Sequence, residues 1–148
     1  MIAEEFWVLD WEGKPLYTFT TEGKKQSKLL SGFFQTIQSF ARNVLDNDQD
    51  HINYITLGEY IYNFHWNTIY QLYFIIKCSS KTKRKTIKAS LSTIENLFIE
   101  DYRAELVKPE RDPSQFEKFR SKIEKYFDPD ILIQMENVLI DSRLKELK

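Results

Sequence analysis

The stretch INYITLGEYIYNFHWNTIYQLYFIIKC, residues 52–78, decides the fold that the sequence predicts. It contains three strand-like runs, separated by Gly58 and by an Asn-Thr pair: residues 52–57, 59–66 and 69–78. In the middle run, every second residue is aromatic, and Ile61, Asn63 and His65 lie on the opposite face, as expected of a strand. The last run is apolar on both faces around Phe74, which is typical of a central strand covered on both sides. The stretch therefore predicts a three-stranded meander.

Two strands and a helix are predicted before this meander. Residues 6–9 and 16–19 are apolar runs joined by a turn at Gly13, which indicates a hairpin. Residues 27–45 carry an apolar stripe about 160° wide at helical spacing, centred on Ile37. A stripe of this width favours deep burial against a sheet or a flank kept for a partner.

Helical spacing returns after a basic loop and continues to the end of the chain. Residues 86–106 form the second predicted helix, and a capping box at residues 114–117 opens a third. Asp128-Pro129 opens a fourth. The whole order predicts an α/β (α+β) domain with a five-stranded antiparallel sheet. We expect the first helix on one sheet face and the later helices on the other.

Composition narrows the class of protein. The chain has 148 residues with 42% hydrophobic and 29% charged residues, which fits one soluble domain. A net charge of −1 argues against general nucleic-acid binding. The single cysteine, Cys78, favours a reducing compartment, and the N-terminal residues show no secretion signal. We therefore expect a cytoplasmic location.

Several stretches carry a family resemblance: Phe6-Trp7-Val8-Leu9-Asp10 with Gly13 and Pro15-Leu16-Tyr17, the meander over residues 60–78, and the helix beginning Thr86-Ile87. The sequence around residues 70–74, YQLYF, is similar to clathrin adaptor subunits. Over residues 2–127 the chain resembles the longin-like family, which includes longin SNARE N-terminal domains, clathrin adaptor small subunits, sedlin-type TRAPP subunits and longin modules of GTPase regulators. The resemblance implies the strand order 2-1-5-4-3.

The same resemblance implies a function without catalysis. It predicts a protein-interaction module, a subunit or scaffold in membrane trafficking or small-GTPase regulation. Its implied partners are another longin-like or roadblock-like subunit, a second copy of itself, or a small GTPase. We expect a longin-like domain over residues 1–127, and a helix over 128–148 that packs on it or serves association. Because the chain ends at Lys148, without a long heptad helix, we do not expect a complete SNARE. A roadblock or profilin-like relative is the second fold considered, although those folds do not begin with this hairpin.

No catalytic, cofactor or metal site is predicted. Asp46, Asp48 and Asp50 have the opening spacing of a calcium loop, but the glycine and glutamate that complete the motif are missing. His51, His65 and Cys78 lack the ligand spacing of a metal site. We therefore expect no enzyme activity and no cofactor. A deep polar cleft gathering His65 and acidic side chains would favour an enzyme instead.

An aromatic ladder provides the alternative function. Tyr60, Tyr62, Phe64 and Trp66 share one face of a predicted strand and could stack nucleic-acid bases. The opposing interpretation is that a helix covers this face and makes the ladder part of the core. The near-neutral charge and the lack of interleaved arginine favour the core, so we expect no nucleic-acid partner.

A basic cluster suggests one further partner. Its cations are candidate contacts for anionic lipid headgroups, and thus for peripheral membrane contact: Lys81, Lys83, Arg84 and Lys85. The alternative is an ordinary solvated loop, because electrostatic anchoring usually needs a second signal and no lipidation motif is present.

Protein-interface candidates come from three elements. The strand order that the resemblance implies leaves the third strand at an edge, without proline or lysine to block pairing, and the first helix beside it has apolar flanks. The alternative is that loops or the C-terminal helix cover this edge. The fourth helix has two apolar faces, of which docking needs only one; the alternative is a single stripe that follows a curved docking surface. The candidates are Asn53, Tyr54, Ile55 and Thr56 on the strand, Leu29, Phe34, Phe40 and Leu45 on the first helix, and Ile133, Ile140, Leu144 and Leu147 on the fourth.

Overall fold

Five antiparallel strands form a single sheet in the computed structural model, which describes residues 3–20, 32–39 and 52–127. The strand order is β2-β1-β5-β4-β3. The strands are β1 Ala3–Asp10, β2 Pro15–Thr20, β3 Tyr54–Leu57, β4 Tyr60–Asn67 and β5 Leu72–Ser79. This confirms the predicted sheet, with β1 and β5 at its centre as their two-sided apolar pattern requires.

Helices cover both faces of the sheet. Residues 32–39 are helical and form the described part of α1. The others are α2 Arg84–Leu106, a short 3-10 helix η1 Pro113–Phe116, and α3 Phe119–Phe127. The side chains of α1 pack on one face (the α1 face), and those of α2, η1 and α3 pack on the other (the α2 face). The predicted sandwich is confirmed.

The alternation of β1 divides the core between these two faces. Phe6 and Val8 point toward α2, and the intervening Trp7 and Leu9 point toward α1, all at most 1% exposed. On the α2 face, buried residues of the helix recur at helical spacing: Ile87, Leu91, Ile94, Phe98 and Tyr102. Burying a large apolar side chain contributes about 1.5–3 kcal/mol, so these two layers supply most of the folding energy.

On the α1 face, one aromatic and one amide side chain attach α1 to the sheet. The Phe34 ring lies 5.5 Å from the rings of Trp7 and Tyr62, centroid to centroid. The Gln38 amide is 1% exposed and bonds the backbone of Ile52 twice, donating to its carbonyl at 3.1 Å and accepting from its N–H at 2.8 Å. This pair satisfies backbone groups that lie just before β3, where the ladder has not yet begun.

The loop between β4 and β5 is longer than predicted. Residues 68–71 form the turn, and Ile69, expected to begin a strand, is 82% exposed. Two features close this turn: Tyr70 N–H donates to Asn67 Oδ1 at 2.8 Å, and Gln71 adopts a φ of +55°. Side-chain capping by asparagine outweighed the apolar character of Ile69.

Two helix starts also differ from the prediction. The N-cap is Asp112, whose carboxylate accepts from Ser114 N–H at 3.0 Å, and Pro113 follows it in η1. The expected capping box at residues 114–117 was therefore wrong. The helix-start signal is the Asp-Pro pair, with the aspartate as N-cap and the proline in the first turn. Helix α2 begins at Arg84, two residues earlier than expected, so Arg84 and Lys85 belong to its first turn.

Some predictions concern residues outside the described ranges. They include the ends of the first helix, with Leu29, Phe40 and Leu45. They also include His51 and the three aspartates with calcium-loop spacing, Asp46, Asp48 and Asp50. The fourth helix with Ile133, Ile140, Leu144 and Leu147, and the boundary at 127/128, lie there too. All of them stay predictions.

Candidate functional site

Strand β3 ends the described sheet on one side. It pairs with β4 alone, in the register Tyr54↔Asn63 to Leu57↔Tyr60. Three of the four predicted interface residues here are exposed, and Ile55 is half-buried against the α1-face core. The structure thus places Asn53, Tyr54 and Thr56 together on an accessible edge.

The backbone of β3 also points outward at alternate residues. Phe64 N–H donates to Asn53 O at 2.9 Å, which makes these two a hydrogen-bonded pair. Bonded and non-bonded pairs alternate along an antiparallel ladder, so Ile55 bonds β4, whereas Tyr54 and Thr56 direct N–H and C=O groups away from it. A strand added at this edge would use those groups.

Large apolar side chains are exposed at the same edge. Tyr54 is 43%, Leu57 45% and Tyr60 36% exposed, and Leu57 and Tyr60 face each other across the β3–β4 hairpin. Exposed aromatic and apolar residues next to an edge strand are typical of a protein interface. On α1, Phe33 is a further exposed aromatic residue, at 45%.

Phe34 is not accessible to a partner. It was a predicted interface residue, but it is 1% exposed and its ring lies 5.3 Å from that of Phe64. The wide stripe on this helix includes both a core side and a partly exposed side, and Phe34 belongs to the core side. Phe33, its neighbour, is the exposed residue that the prediction missed; only packing against Trp7 and Tyr62 distinguishes the two.

The four basic-cluster residues are all exposed, as contact with headgroups would require. Arg84 is also fixed against the edge strand, with its guanidinium carbon 4.0 Å from the centroid of the Tyr54 ring. The first turn of α2 contains no acidic residue, although cations are unfavourable at a helix N-terminus. The sequence did not predict that this cluster adjoins β3.

The aromatic ladder is largely covered. Tyr62 and Phe64 are 7% and 5% exposed and pack against Phe34. Burial raises the pKa of the Tyr62 phenol, an effect that Lys77 partly opposes. The two middle members of the ladder therefore form core and present no free face for base stacking.

His65 has an acidic partner. Its Nε2 lies 2.8 Å from Glu95 Oε2, and Asn67 Nδ2 donates to the same oxygen at 3.4 Å. Cys78 is fully buried, and burial raises the pKa of its thiol, so a nucleophilic role is disfavoured. Within residues 3–20, 32–39 and 52–127, no three His, Cys, Asp or Glu side chains gather as a metal site would require.

Two of the clefts formed by the described residues are large enough to consider as sites. The larger, about 700 Å³, lies between the β1–β2 turn and the segment after α2. Its walls are joined internally: Lys14 Nζ donates to Arg111 O at 2.8 Å, and the Arg111 guanidinium donates to Tyr70 O at 3.0 Å and Leu106 O at 2.9 Å. These bonds give the larger cleft a structural role in holding the hairpin to the end of α2.

The smaller cleft, about 400 Å³, lies where β3 begins and α2 crosses β4. It is the polar cleft beside His65 that an enzyme would need, but its lining contains no carboxylate: Asn53, Asn63, Phe64, His65, Trp66, Lys88, Leu91 and Ser92. Glu95 stays outside it, bonded to His65 and Asn67. His65 is therefore the one member of the His65–Glu95 pair that lines the cleft.

Comparison with known proteins shows the fold. No protein-family model and no curated protein sequence matches the chain. Among solved structures, Myxococcus xanthus MglB superposes with a TM-score of 0.54 at 9% identity, covering 74% of this chain and 83% of its own. A roadblock/LC7 domain from Streptomyces avermitilis gives 0.54 at 9%, covering 73% and 88%. The mammalian SRP receptor gives 0.55 at 12%, covering 85% and 92%.

The chain has the longin-like fold. The roadblock-like relatives, considered second from the sequence, share this longin-like architecture. At sequence identities of 9–12%, these similarities show the fold of this chain and do not identify its partners. None of the described helices is long and apolar enough to cross a bilayer.

Proposed function

We propose that this protein is a non-catalytic interaction module, a subunit or scaffold in small-GTPase regulation or membrane trafficking. The longin-like fold together with the unblocked β3 edge carries this proposal. The resemblance in sequence implies such a role, and the fold is shared with MglB, a roadblock/LC7 domain and the SRP receptor. The proposed partners are a second longin-like or roadblock-like subunit, another copy of this chain, or a small GTPase.

The edge supports docking by strand addition. Outward-pointing backbone groups at Tyr54 and Thr56 provide the hydrogen bonds, and Leu57 and Tyr60 provide exposed apolar area. A specific interface buries about 800 Å² per partner. Strand addition alone is sequence-independent, so the flanking side chains would select the partner. The exposed basic cluster remains, within this proposal, a candidate contact for anionic headgroups.

The alternatives receive less support from the described residues. The nucleic-acid alternative needs an exposed aromatic face, and Tyr62 and Phe64 are buried. An enzyme needs reactive groups facing a cleft; Glu95 is not among the residues that line the smaller cleft, and Cys78 is buried. The interface proposal instead rests on exposed residues of the β3 edge, which a partner protein can contact.

The proposal is tested by disabling the edge without breaking the sheet. Thr56→Pro removes an outward N–H while leaving the β4 ladder intact, as proline is tolerated on edge strands. Ile55→Pro would instead disrupt the bond to β4. Leu57→Asp removes apolar contact and adds charge. We expect each variant to reduce partner capture from the native cell at least about tenfold, with native mass spectrometry reporting the captured complex.

Val107→Asp is the matched control, because Val107 is 69% exposed but lies just after α2. It should capture the partner as the wild type does. Circular dichroism must show that all three variants are folded. Wild-type levels of capture in both Thr56→Pro and Leu57→Asp would contradict the proposed site. If this chain bound an enzyme substrate and no protein partner, the proposed function would be contradicted.

A further inference from the structure

The smaller cleft contains a buried donor without a partner. Asn63 is 3% exposed, and its Nδ2 has no hydrogen-bond partner within the described part of the chain. Native proteins rarely leave such a group unpaired, since an unsatisfied buried donor destabilises the fold. Asn63 also lines the cleft, so a molecule occupying it can accept the missing hydrogen bond.

The charge of the lining indicates what this molecule is. Lys88 carries the only formal charge fixed at neutral pH among the described lining residues, and it is positive. The nearest carboxylate on α2, Glu95, is engaged by His65 and Asn67. A lysine and an amide donor, with no carboxylate in the lining, favour an anionic acceptor.

The form of the cleft limits the size of the ligand. About 400 Å³ is at the small end of the range for ligand sites. Leu91, Phe64 and Trp66 are the apolar residues of the lining, and Asn53 and Ser92 are its neutral polar residues. This is a lining for a molecule with one charged end and a short, partly polar body.

We propose that this cleft binds a small carboxylate, with Asn63 Nδ2 donating to a carboxylate oxygen and Lys88 compensating its charge. The site shares Asn53 with the β3 edge surface but does not require the proposed function. Its lining combines β4, the start of β3 and the first half of α2, which the sequence places far apart. No sequence motif signals it.

The probe is sodium N-acetylglycinate, followed by ¹H–¹⁵N correlation spectra of the full chain at constant ionic strength. We expect saturable shifts of the Asn63 side-chain amide, with a dissociation constant on the order of 1 mM for so small a ligand. The neutral N-acetylglycinamide should cause none of these shifts. Equal shifts with the neutral amide, or none with the carboxylate up to about 50 mM, would overturn the proposal.

Variants separate binding from folding. Asn63→Leu removes the unsatisfied donor at similar volume, so the melting temperature should not fall while carboxylate binding weakens about tenfold or more. Lys88→Glu reverses the charge on an exposed side chain and should abolish binding. Lys85→Gln, an exposed cation on the same helix but outside the cleft, should bind as wild type. Retained binding in Lys88→Glu would overturn the proposal even if Asn63→Leu failed to fold.

Discussion

Tyr17 shows how a single buried hydroxyl affects the molecule. Its side chain packs in the α2-face core and is 7% exposed, with its ring 5.6 Å from that of Phe119. Within the described residues the hydroxyl has no hydrogen-bond partner. Burial raises the pKa of this phenol strongly, with Arg120 opposing and Glu124 adding to the effect. The folded chain therefore keeps a proton that the unfolded chain releases near pH 10.

This shift predicts an alkaline loss of stability. Between the unfolded and the folded pKa, the folded state binds more protons, so the free energy of unfolding falls as pH rises above about 10. Tyr17→Phe should be neutral or slightly stabilising at pH 7, because no bond is lost. Above about pH 10 it should lose less stability than the wild type. Urea denaturation at a series of pH values measures both effects.

Tyr54→Phe controls for the number of hydroxyls, since Tyr54 is 43% exposed. Some alkaline slope should remain in Tyr17→Phe, because burial also raises the pKa of Tyr62 and Tyr102. If Tyr17→Phe and the wild type have the same pH profile, the Tyr17 hydroxyl does not titrate with unfolding as proposed.

At the scale of elements, α1 and the β1–β2 hairpin meet at a glycine. Gly13 has a φ of +89°, and a Cβ placed on it would lie 2.6 Å from Gln35 Cβ. Two separate constraints therefore apply at this position, the left-handed backbone and the close approach of the helix. Gly58, in the β3–β4 hairpin, has a φ of +62° but open space around it. Substitutions at the two glycines can therefore separate the free-energy cost of a left-handed backbone from the cost of close packing.

Gly58→Ala should destabilise the protein by about 1 kcal/mol, the cost of a left-handed alanine. Gly13→Ala should cost about 1–3 kcal/mol more, because overpacking against Gln35 adds to it. Chemical denaturation with unchanged m-values measures the difference. Equal costs at both positions would show that α1 moves away freely from the hairpin. If the contact with Gln35 causes the extra cost, Gly13→Ala in a Gln35→Gly background should lack it, measured against Gln35→Gly alone.

The ends of the elements depended on side-chain caps rather than on apolar pattern. Asn67 and Asp112 each accept a backbone hydrogen bond and shift an expected boundary by a few residues. Helix α2 begins at Arg84 although no side chain caps it and its first turn is basic. Departures from local rules such as helix capping are often found at functional surfaces. The uncapped, basic start of α2 adjoins the β3 edge.

At the scale of the whole molecule, both cores depend on one sheet. Neighbouring residues of β1, such as Phe6 and Trp7, belong to opposite faces. All three tryptophans lie on the α1 face, where Trp7 is in the core and Trp11 and Trp66 pack against it. Tryptophan fluorescence therefore reports the α1 face, whereas α2, the longest described helix, contributes to the far-ultraviolet signal from the other face.

We expect the two faces to unfold together. Phe98→Ala on α2 should destabilise by about 3–5 kcal/mol and shift the fluorescence and circular-dichroism transitions equally. Phe34→Ala on α1 should do the same, and Phe33→Ala, at a half-exposed position, should cost much less. Were Phe98→Ala to shift the dichroism transition alone, the faces would be independent units.

The sequence by itself determined the sheet, its two central strands and the two-sided covering. These follow from periodicity, because alternation in β4 and continuous apolarity in β1 and β5 indicate which faces are buried. The resemblance to the longin-like family supplied the full strand order, and with it the edge strand, whose residues 53, 54 and 56 are exposed. Such properties are local along the chain or depend on the order of elements.

Only the tertiary structure decided which side chains share a surface. Phe33 and Phe34 are equally apolar, and packing against Trp7 made one of them core. Arg84 reaches Tyr54 across 30 positions, and the smaller cleft joins Asn63 to Lys88. The periodicity of a single strand or helix cannot predict contacts between residues that lie so far apart in the sequence. They arise from how α2 crosses the sheet, and that crossing is a property of the packed molecule.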